Sequence, residues 1–278
     1  MAGAELAEGG CEGAPGPGVA RKRRDAPDRN ESFPSRRVLG MRVDATSTAE
    51  VAEAVIARAE AGAGGMVCVA TAHMAIECHD DPALRRAVNS ADRVTPDGMS
   101  LVWALRRLGV PGATRVYGPT LLPVVCARAE ARGIPIGLYG SVPEVLGALQ
   151  TELRRRFPQL LIPFAFSPPF RALEPAEERS VREAISLSGV RILFVGLGCP
   201  KQERWMASQR GALACVLVGV GAAFDFLAGE KPQAPAWMQH HGLEWLFRLG
   251  SEPRRLWRRY LVGNSRFLWH FVLRGNRG

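Results

Sequence analysis

From Val38 onward, short apolar runs alternate with longer stretches whose apolar positions recur every three or four residues. The runs RVLGMRVDA, GMVCVATA, DRVT, PIGLYG, LLIPFAF, RILFVGLG and ACVLVGVG read as strands. Between them STAEVAEAVIARAEAG, a stretch ending near LRRAVNSA, GMSLVWALRRLG, LLPVVCARAEARG, VPEVLGALQTELRRRF, PAEERSVREAISLSG and KQERWMASQR read as helices. Strands alternating with helices predict an α/β fold, a mostly parallel sheet with helices on both faces. No repeat of fixed period interrupts this order. Ligands of such sheets bind beyond the carboxyl ends of the strands. The expected functional rim is therefore the loops TAHM (71–74), TPDG (95–98), YGSVPE (139–144), GLGCPKQE (196–203) and GVGAAFD (219–225).

The two ends of the chain depart from this pattern. Residues 1–37 are rich in glycine, alanine, proline and charge and lack an apolar signal-peptide core, which predicts a disordered tail. Its RKRR is a solvated charge run or a polyanion contact. Residues 38–247 form the predicted core, and 248–278 a basic C-terminal helical appendage. Projected at about 100° per residue, Arg255, Arg258, Arg259 and Arg266 share one arc. Trp257, Tyr260, Leu268 and Phe271 fall opposite, giving a basic amphipathic helix that Gly263 and Asn264 could break. Two readings stand: a helix docked on the core with a solvated arginine face, or an interfacial helix whose arginines meet anionic headgroups.

Composition narrows the function classes. With 278 residues, 47% of them hydrophobic, the chain is expected to be soluble and can bury one large core or two small ones. Its six cysteines form no CxxC pair and suit a reducing compartment. The histidines lack metal-ligand spacing, and no Asp-x-Asp pair occurs, so no metal site is expected. The longest apolar stretch, ALACVLVGVGAAFDFLAG, is interrupted by Asp225 and too short for a convincing membrane span. The formal net charge is +9, and from Glu244 onward eight arginines face only Glu244 and Glu252.

Of the rim residues, Asp97 raises the sharpest question, because an aspartate in a PDG turn is either a helix cap or a carboxylate free for proton transfer. The glycine-rich loops do not complete a dinucleotide fingerprint, since Lys201 and Phe224 stand where its third glycine belongs. No P-loop is present either. Lys201 and Gln202 offer a cation and an amide suited to a phosphate and a base or sugar, and Arg115 a fork suited to a diphosphate. Each has an ordinary structural reading beside the functional one.

Taken in order, TPDGMSLVWA, RVYGPTL, LYGSVPEV, FVGLGCPKQERW, GVGAAFDFLAG and GLEWLFRLGSEPRRLWRRYLVGNSRFL resemble the bacterial WecG/TagA/CpsF glycosyltransferase family, from about Val38 to Phe271. The resemblance implies a Rossmann-like core and transfer of an N-acetylmannosamine-type or related hexose from a UDP-sugar to a polyprenyl-diphosphate-linked sugar, in surface polysaccharide or wall polymer synthesis. It implies an inverting, metal-independent reaction without cofactor, with Asp97 as base. Thr71, His73, Arg115, Lys201, Gln202 and Asp225 are then the expected donor contacts, with Asp225 equally readable as a cap. Arg248, Arg254, Arg255, Arg258 and Arg259 are expected at the acceptor diphosphate or the membrane. The partners implied are the UDP-sugar, the lipid-linked acceptor and an anionic membrane surface, with no nucleic acid. A homo-oligomer is left open, and the expected location is cytoplasmic, peripheral at the inner face of the membrane. Three departures bear on donor choice: His73 where Asn is common, Thr120 where many relatives have Asp, and Gln233 where Arg is frequent. The competing readings are a nucleotide-dependent oxidoreductase and a basic nucleic-acid-binding module; NAD(P) binding, or salt-sensitive DNA binding without UDP binding, would favour them.

Overall fold

A computed structural model describes residues 34–273 and Gly275. Residues 1–33, which hold most of the expected tail, and the arginines at 274 and 277 lie outside the described residues. RVLGMRVDA, expected as one strand, is an antiparallel hairpin of β1 (Ser35–Val38) and β2 (Met41–Asp44). Its turn is Leu39 and Gly40, both at positive φ, as a two-residue hairpin turn demands. The hairpin starts within the stretch assigned to the tail and is separate from the main sheet.

The chain then runs through α1 (Thr48–Ala61), β3 (Gly65–Ala70), α2 (Ala72–Asp80), α3 (Pro82–Asn89), β4 (Arg93–Pro96), α4 (Met99–Arg107), α5 (Gly118–Ala131) and β5 (Ile136–Gly140). It continues through α6 (Pro143–Arg156), β6 (Phe164–Phe166), α7 (Pro175–Leu187), β7 (Ile192–Gly196), α8 (Lys201–Gln209) and β8 (Val216–Gly219). The sheet is six-stranded and parallel, in the order β4-β3-β8-β7-β5-β6. LLIPFAF yields only three strand residues, because Pro163 cannot donate to a ladder and confines the strand to the sheet edge.

Pleating divides the strand side chains between two cores. Met66, Cys68, Leu193, Val195 and Leu217 face α2, α3, α4, α7 and α8. Val67, Val69, Ile192, Phe194, Val216 and Val218 face α1, α5, α6 and a short α9 (Ala223–Leu227). Burying one such aliphatic side chain is worth roughly 1.5–3 kcal/mol, so the sheet is held from both sides. Of the cysteines among the described residues, Cys68, Cys78, Cys126 and Cys215 are buried, none is in a disulfide, and their thiols are pushed up by burial.

Beyond the sheet lie α10 (Ala236–His240), α11 (Glu244–Ser251), α12 (Pro253–Trp257), a π-helical turn (Arg258–Val262), α13 (Gly263–Leu268) and a second π-helical turn (Trp269–Leu273). Gly263 does not break this helix: its φ of −65° and ψ of −47° are helical. The expected opposition of arginine and aromatic faces is also corrected. An i→i+5 turn holds more residues than an α turn, so each π turn shifts the phase of the residues after it. Tyr260 lies in a cleft beside Arg259, and Phe271 is buried against the core with Phe267. Trp257 and Leu268 face outward instead. Arg266 donates two 2.8 Å hydrogen bonds to Asp80 of α2. No helix among the described residues is long and apolar enough to cross a membrane.

Candidate functional site

Parallel pairing of β3 with β4 sets Ala70 opposite Pro96, so Thr71 and Asp97 leave the sheet side by side. The Asp97 N–H donates to Ala70 O at 2.8 Å, fixing the start of the turn. Thr71 caps α2, its hydroxyl accepting from Met74 N–H at 3.4 Å. Asp97 caps nothing: the N-cap of α4 is Gly98, with no side-chain cap hydrogen bond. That resolves the alternative left open by the PDG turn.

The Asp97 side chain meets Arg115 instead. Val116 N–H donates to Pro96 O at 2.8 Å, pinning the loop ahead of α5 to the end of β4. Arg115 Nε donates to the Asp97 carbonyl, and its Nη2 to Asp97 Oδ1 at 3.2 Å. The same Nη2 lies 2.7 Å from Glu244 Oε2 at the start of α11. Tyr117 O–H donates to Glu244 Oε1 at 3.2 Å, and the Arg115 guanidinium lies 4.0 Å from the Tyr117 ring centre. Asp97, Arg115 and Glu244 are 19%, 17% and 12% exposed, sheltered yet reachable.

This shelter sets the protonation states. Burial pushes Asp97 up to about 6, with Arg115 and Arg248 opposing and the like charge of Glu244 reinforcing. Near neutral pH Asp97 is mostly ionised and is a stronger base than a solvated carboxylate. Burial, with Arg259 adding to it, pushes His73 down to about 4, so its imidazole is neutral there. Burial pushes the Tyr117 phenol up, which keeps its O–H as a donor.

These groups line a cleft of about 90 Å³. One wall is the sheet rim: Thr71, Ala72 and His73, then Asp97 to Ser100, then Arg115. The other is C-terminal: Gln239, Gly242, Glu244, Trp245, Arg248, Arg259, Tyr260 and Asn264. Three guanidiniums face two carboxylates in the lining. Arg115 is paired with both acids, whereas Arg248 stacks at 5.1 Å on Phe226 and the Nε of Arg259 is buried without a hydrogen-bond partner. Gly242, at φ +71°, lets the wall close, because a Cβ there would lie 2.7 Å from the Trp103 ring.

Of the residues expected from the sequence, Asp97, Thr71, His73, Arg115, Arg248 and Arg259 are brought together. Lys201, Gln202 and Asp225 do not line this cleft. Lys201 is exposed. Gln202 is buried, accepting from Gly221 N–H at 3.0 Å and donating to Glu203 at 2.9 Å, and braces the loops after β7 and β8. Gly219 makes room for it, since a Cβ there would lie 2.5 Å from Gln202 Nε2. Asp225 pairs with Lys231 at 3.2 Å. Arg254, Arg255 and Arg258 are exposed, Arg255 pairing with Glu252 at 2.9 Å and Arg258 lying 5.4 Å from the Trp257 ring centre.

Glu244 and Tyr117 do not stand out in the sequence, although both lie in recognisable segments. The available signal for Glu244 is a lone acid in an apolar run within the most arginine-rich part of the chain. Among the described residues, no group of three or more His, Cys, Asp or Glu could hold a metal ion. A model described as the glycosyl transferase WecG/TagA/CpsF family matches residues 36–278.

Proposed function

The chain belongs to the WecG/TagA/CpsF glycosyltransferase family, and from that premise we propose that it transfers a hexose, of N-acetylmannosamine or related type, from a UDP-sugar to a polyprenyl-diphosphate-linked sugar with inversion. The observation that carries this reading is the uneven wiring of the cleft. Asp97 and Arg115 are joined at the rim, while Arg259 faces them from the other wall with a buried, unsatisfied Nε. A buried cation without a partner costs stability, and an anionic ligand relieves that cost.

In this mechanism the acceptor hydroxyl loses its proton to the Asp97 carboxylate as its oxygen bonds to the anomeric carbon of the donor. The anomeric carbon to phosphate-oxygen bond breaks, and its electron pair leaves with UDP. Arg248 and Arg259, helped by the free amides at the start of α2, receive the growing diphosphate charge, so no metal is assigned a role. Thr71 and neutral His73 contact the donor as uncharged groups. An anionic membrane surface is the proposed second partner, at the inner face of the membrane. Trp257, Leu261, Leu268, Trp269 and Leu273 are each about half exposed or more, beside exposed Arg254 and Arg258.

The test is a screen of UDP-sugars with a short-chain polyprenyl-diphosphate-GlcNAc acceptor, read by the mass of the lipid product and repeated in EDTA. The expected result is transfer from one UDP-sugar class, unchanged by EDTA and weakened by Arg259→Ala chiefly through a higher KM for the donor. Strict dependence on added Mg²⁺ or Mn²⁺, or indifference to Arg259→Ala, overturns the assignment of the arginines to the diphosphate.

A further inference from the structure

Arg115 has one Nη2 group and two carboxylates competing for it. The contact to Glu244 Oε2 is 2.7 Å, against 3.2 Å to Asp97 Oδ1, so the guanidinium leans toward the partner outside the sheet rim. Glu244 is itself anchored, because Tyr117 O–H holds its other oxygen at 3.2 Å. Nothing about a carboxylate at this place is needed to close α11, whose apolar residues could pack without it. Burying it costs free energy unless a paired cation compensates.

We propose that Glu244 is a positioning residue: by sharing Arg115 with Asp97, it keeps the guanidinium from closing fully on the Asp97 carboxylate and leaves an oxygen ready to take the acceptor's proton. This deepens the functional reading and rests on Asp97 being the base. A carboxylate held alone by a bidentate guanidinium is a poor base, because the charge-assisted bonds favour its ionised form. The other groups around Asp97 are His73 of α2, Tyr117 ahead of α5, Arg248 of α11, and Arg259 and Tyr260 of the π turn. Arg248 opposes Glu244 and His73 is neutral, so Glu244 is the acid in this set that raises Asp97. Since Glu244 opens α11, the C-terminal segment supplies part of the base's strength as well as a wall of the cleft.

The test is Glu244→Gln, which keeps an acceptor oxygen for Arg115 and removes only the charge, beside Glu244→Asp, which keeps the charge. Two readouts are taken: the acid limb of the kcat profile, and the carboxyl ¹³C titration of Asp97, assigned by its disappearance in Asp97→Asn. In Glu244→Gln both should move down by about one pH unit, with a lower plateau kcat and little change in donor KM. Glu244→Asp should stay near the parent. An Asp97 titration unmoved in folded Glu244→Gln protein overturns the proposal, as does an equal shift in Glu244→Asp. A titration that moves while the activity limb does not leaves Glu244's hold on Asp97 standing and removes Asp97 as the base. If no UDP-sugar is turned over at all, the titration alone decides.

Discussion

The sheet core and the C-terminal helices face each other across one cleft but are built on different terms. In the core every strand except the short edge β6 is largely buried, and α5 alone buries Leu121, Leu122, Val125, Cys126 and Ala129. From Glu244 to Leu273 only Glu244, Leu256, Phe267 and Phe271 are buried, while Trp257, Leu268, Trp269 and Leu273 are 46%, 57%, 52% and 68% exposed. The core organises itself around its own apolar faces. The C-terminal segment borrows order from the core and keeps apolar surface that the fold does not consume. A catalytic carboxylate thus sits on the rigid side, and the unpaired Arg259 on the side with fewer buried anchors, where it can adjust to a ligand.

The sharpest way to break the comparison is to disarm the rigid side. Asp97→Asn should leave the fold intact and reduce transfer by about 10²–10⁴-fold, the usual loss on removing a general base. Stability supplies an independent readout. The folded value of about 6 lies above the ordinary 3.8, so the native state favours protonated Asp97. That contribution is fully present below about pH 4 and is lost as pH rises through 6. The parent should therefore lose on the order of 2 to 3 kcal/mol over this window that Asp97→Asn does not lose. Denaturant melts at pH 4, 5, 6 and 7.5 check it: parallel curves for the two proteins would mean that Asp97 ionises in the fold as it does in water.

Removing the other side should have the next largest effect. Deleting the chain from Ser251 onward takes away Arg259, Tyr260 and Asn264 from the cleft, together with most of the exposed apolar surface of the segment. The cores around the sheet lose only Phe267 and Phe271, so the truncated protein should fold, with a lower Tm. Transfer and binding to anionic vesicles should both fall. Each exposed arginine is worth about 1 kcal/mol at such a surface, and the lost apolar area adds to it. Cosedimentation on anionic and neutral vesicles separates the outcomes: equal binding by full-length and truncated protein removes the segment as the anchor. Aggregation of the truncated protein would make it a structural lid.

The same contrast governs how legible each side is in the sequence. Strands at period two and helices near 3.6 recover the order of the core, because every element there buries a face that its own pattern declares. The misses in the core come from turns: Leu39 and Gly40 fold one apparent strand into a hairpin, and Pro163 shortens β6. Asp97 is recognisable from its place after a strand, although its partner Arg115 reads in the sequence as a clamp for a diphosphate. In the C-terminal segment the projection at a uniform helical angle fails, since two π turns shift the phase and send Tyr260 and Phe271 inward with Trp257 outward. Glu244 escapes notice for another reason. Its meaning lies in Arg115, 129 residues away, and no local pattern announces such a pair.

The smallest expected effect concerns what fastens one side to the other. Asp80 and Arg266 join α2 to α13 through two 2.8 Å hydrogen bonds, yet both side chains are more than 40% exposed. Water and salt screen such a pair, so Asp80→Asn should cost no more than about 1 kcal/mol, and less in high salt. Phe267 and Phe271, stacked with ring centres 5.7 Å apart and buried in the core on the α2 side of the sheet, should carry most of the attachment. Removing a buried phenylalanine side chain typically costs about 3–5 kcal/mol, several times the ion pair. Amide exchange reads the two contributions locally. In Asp80→Asn, residues of α13 should exchange modestly faster at low salt and at the parent's rate in high salt, with β3, β7 and β8 unchanged. Exchange that rises throughout the segment, in high salt as well, would show that the ion pair holds the helix. The C-terminal wall would then be fastened by charge, and the contrast between a self-sufficient core and a segment held to it by a few buried aromatics would fail.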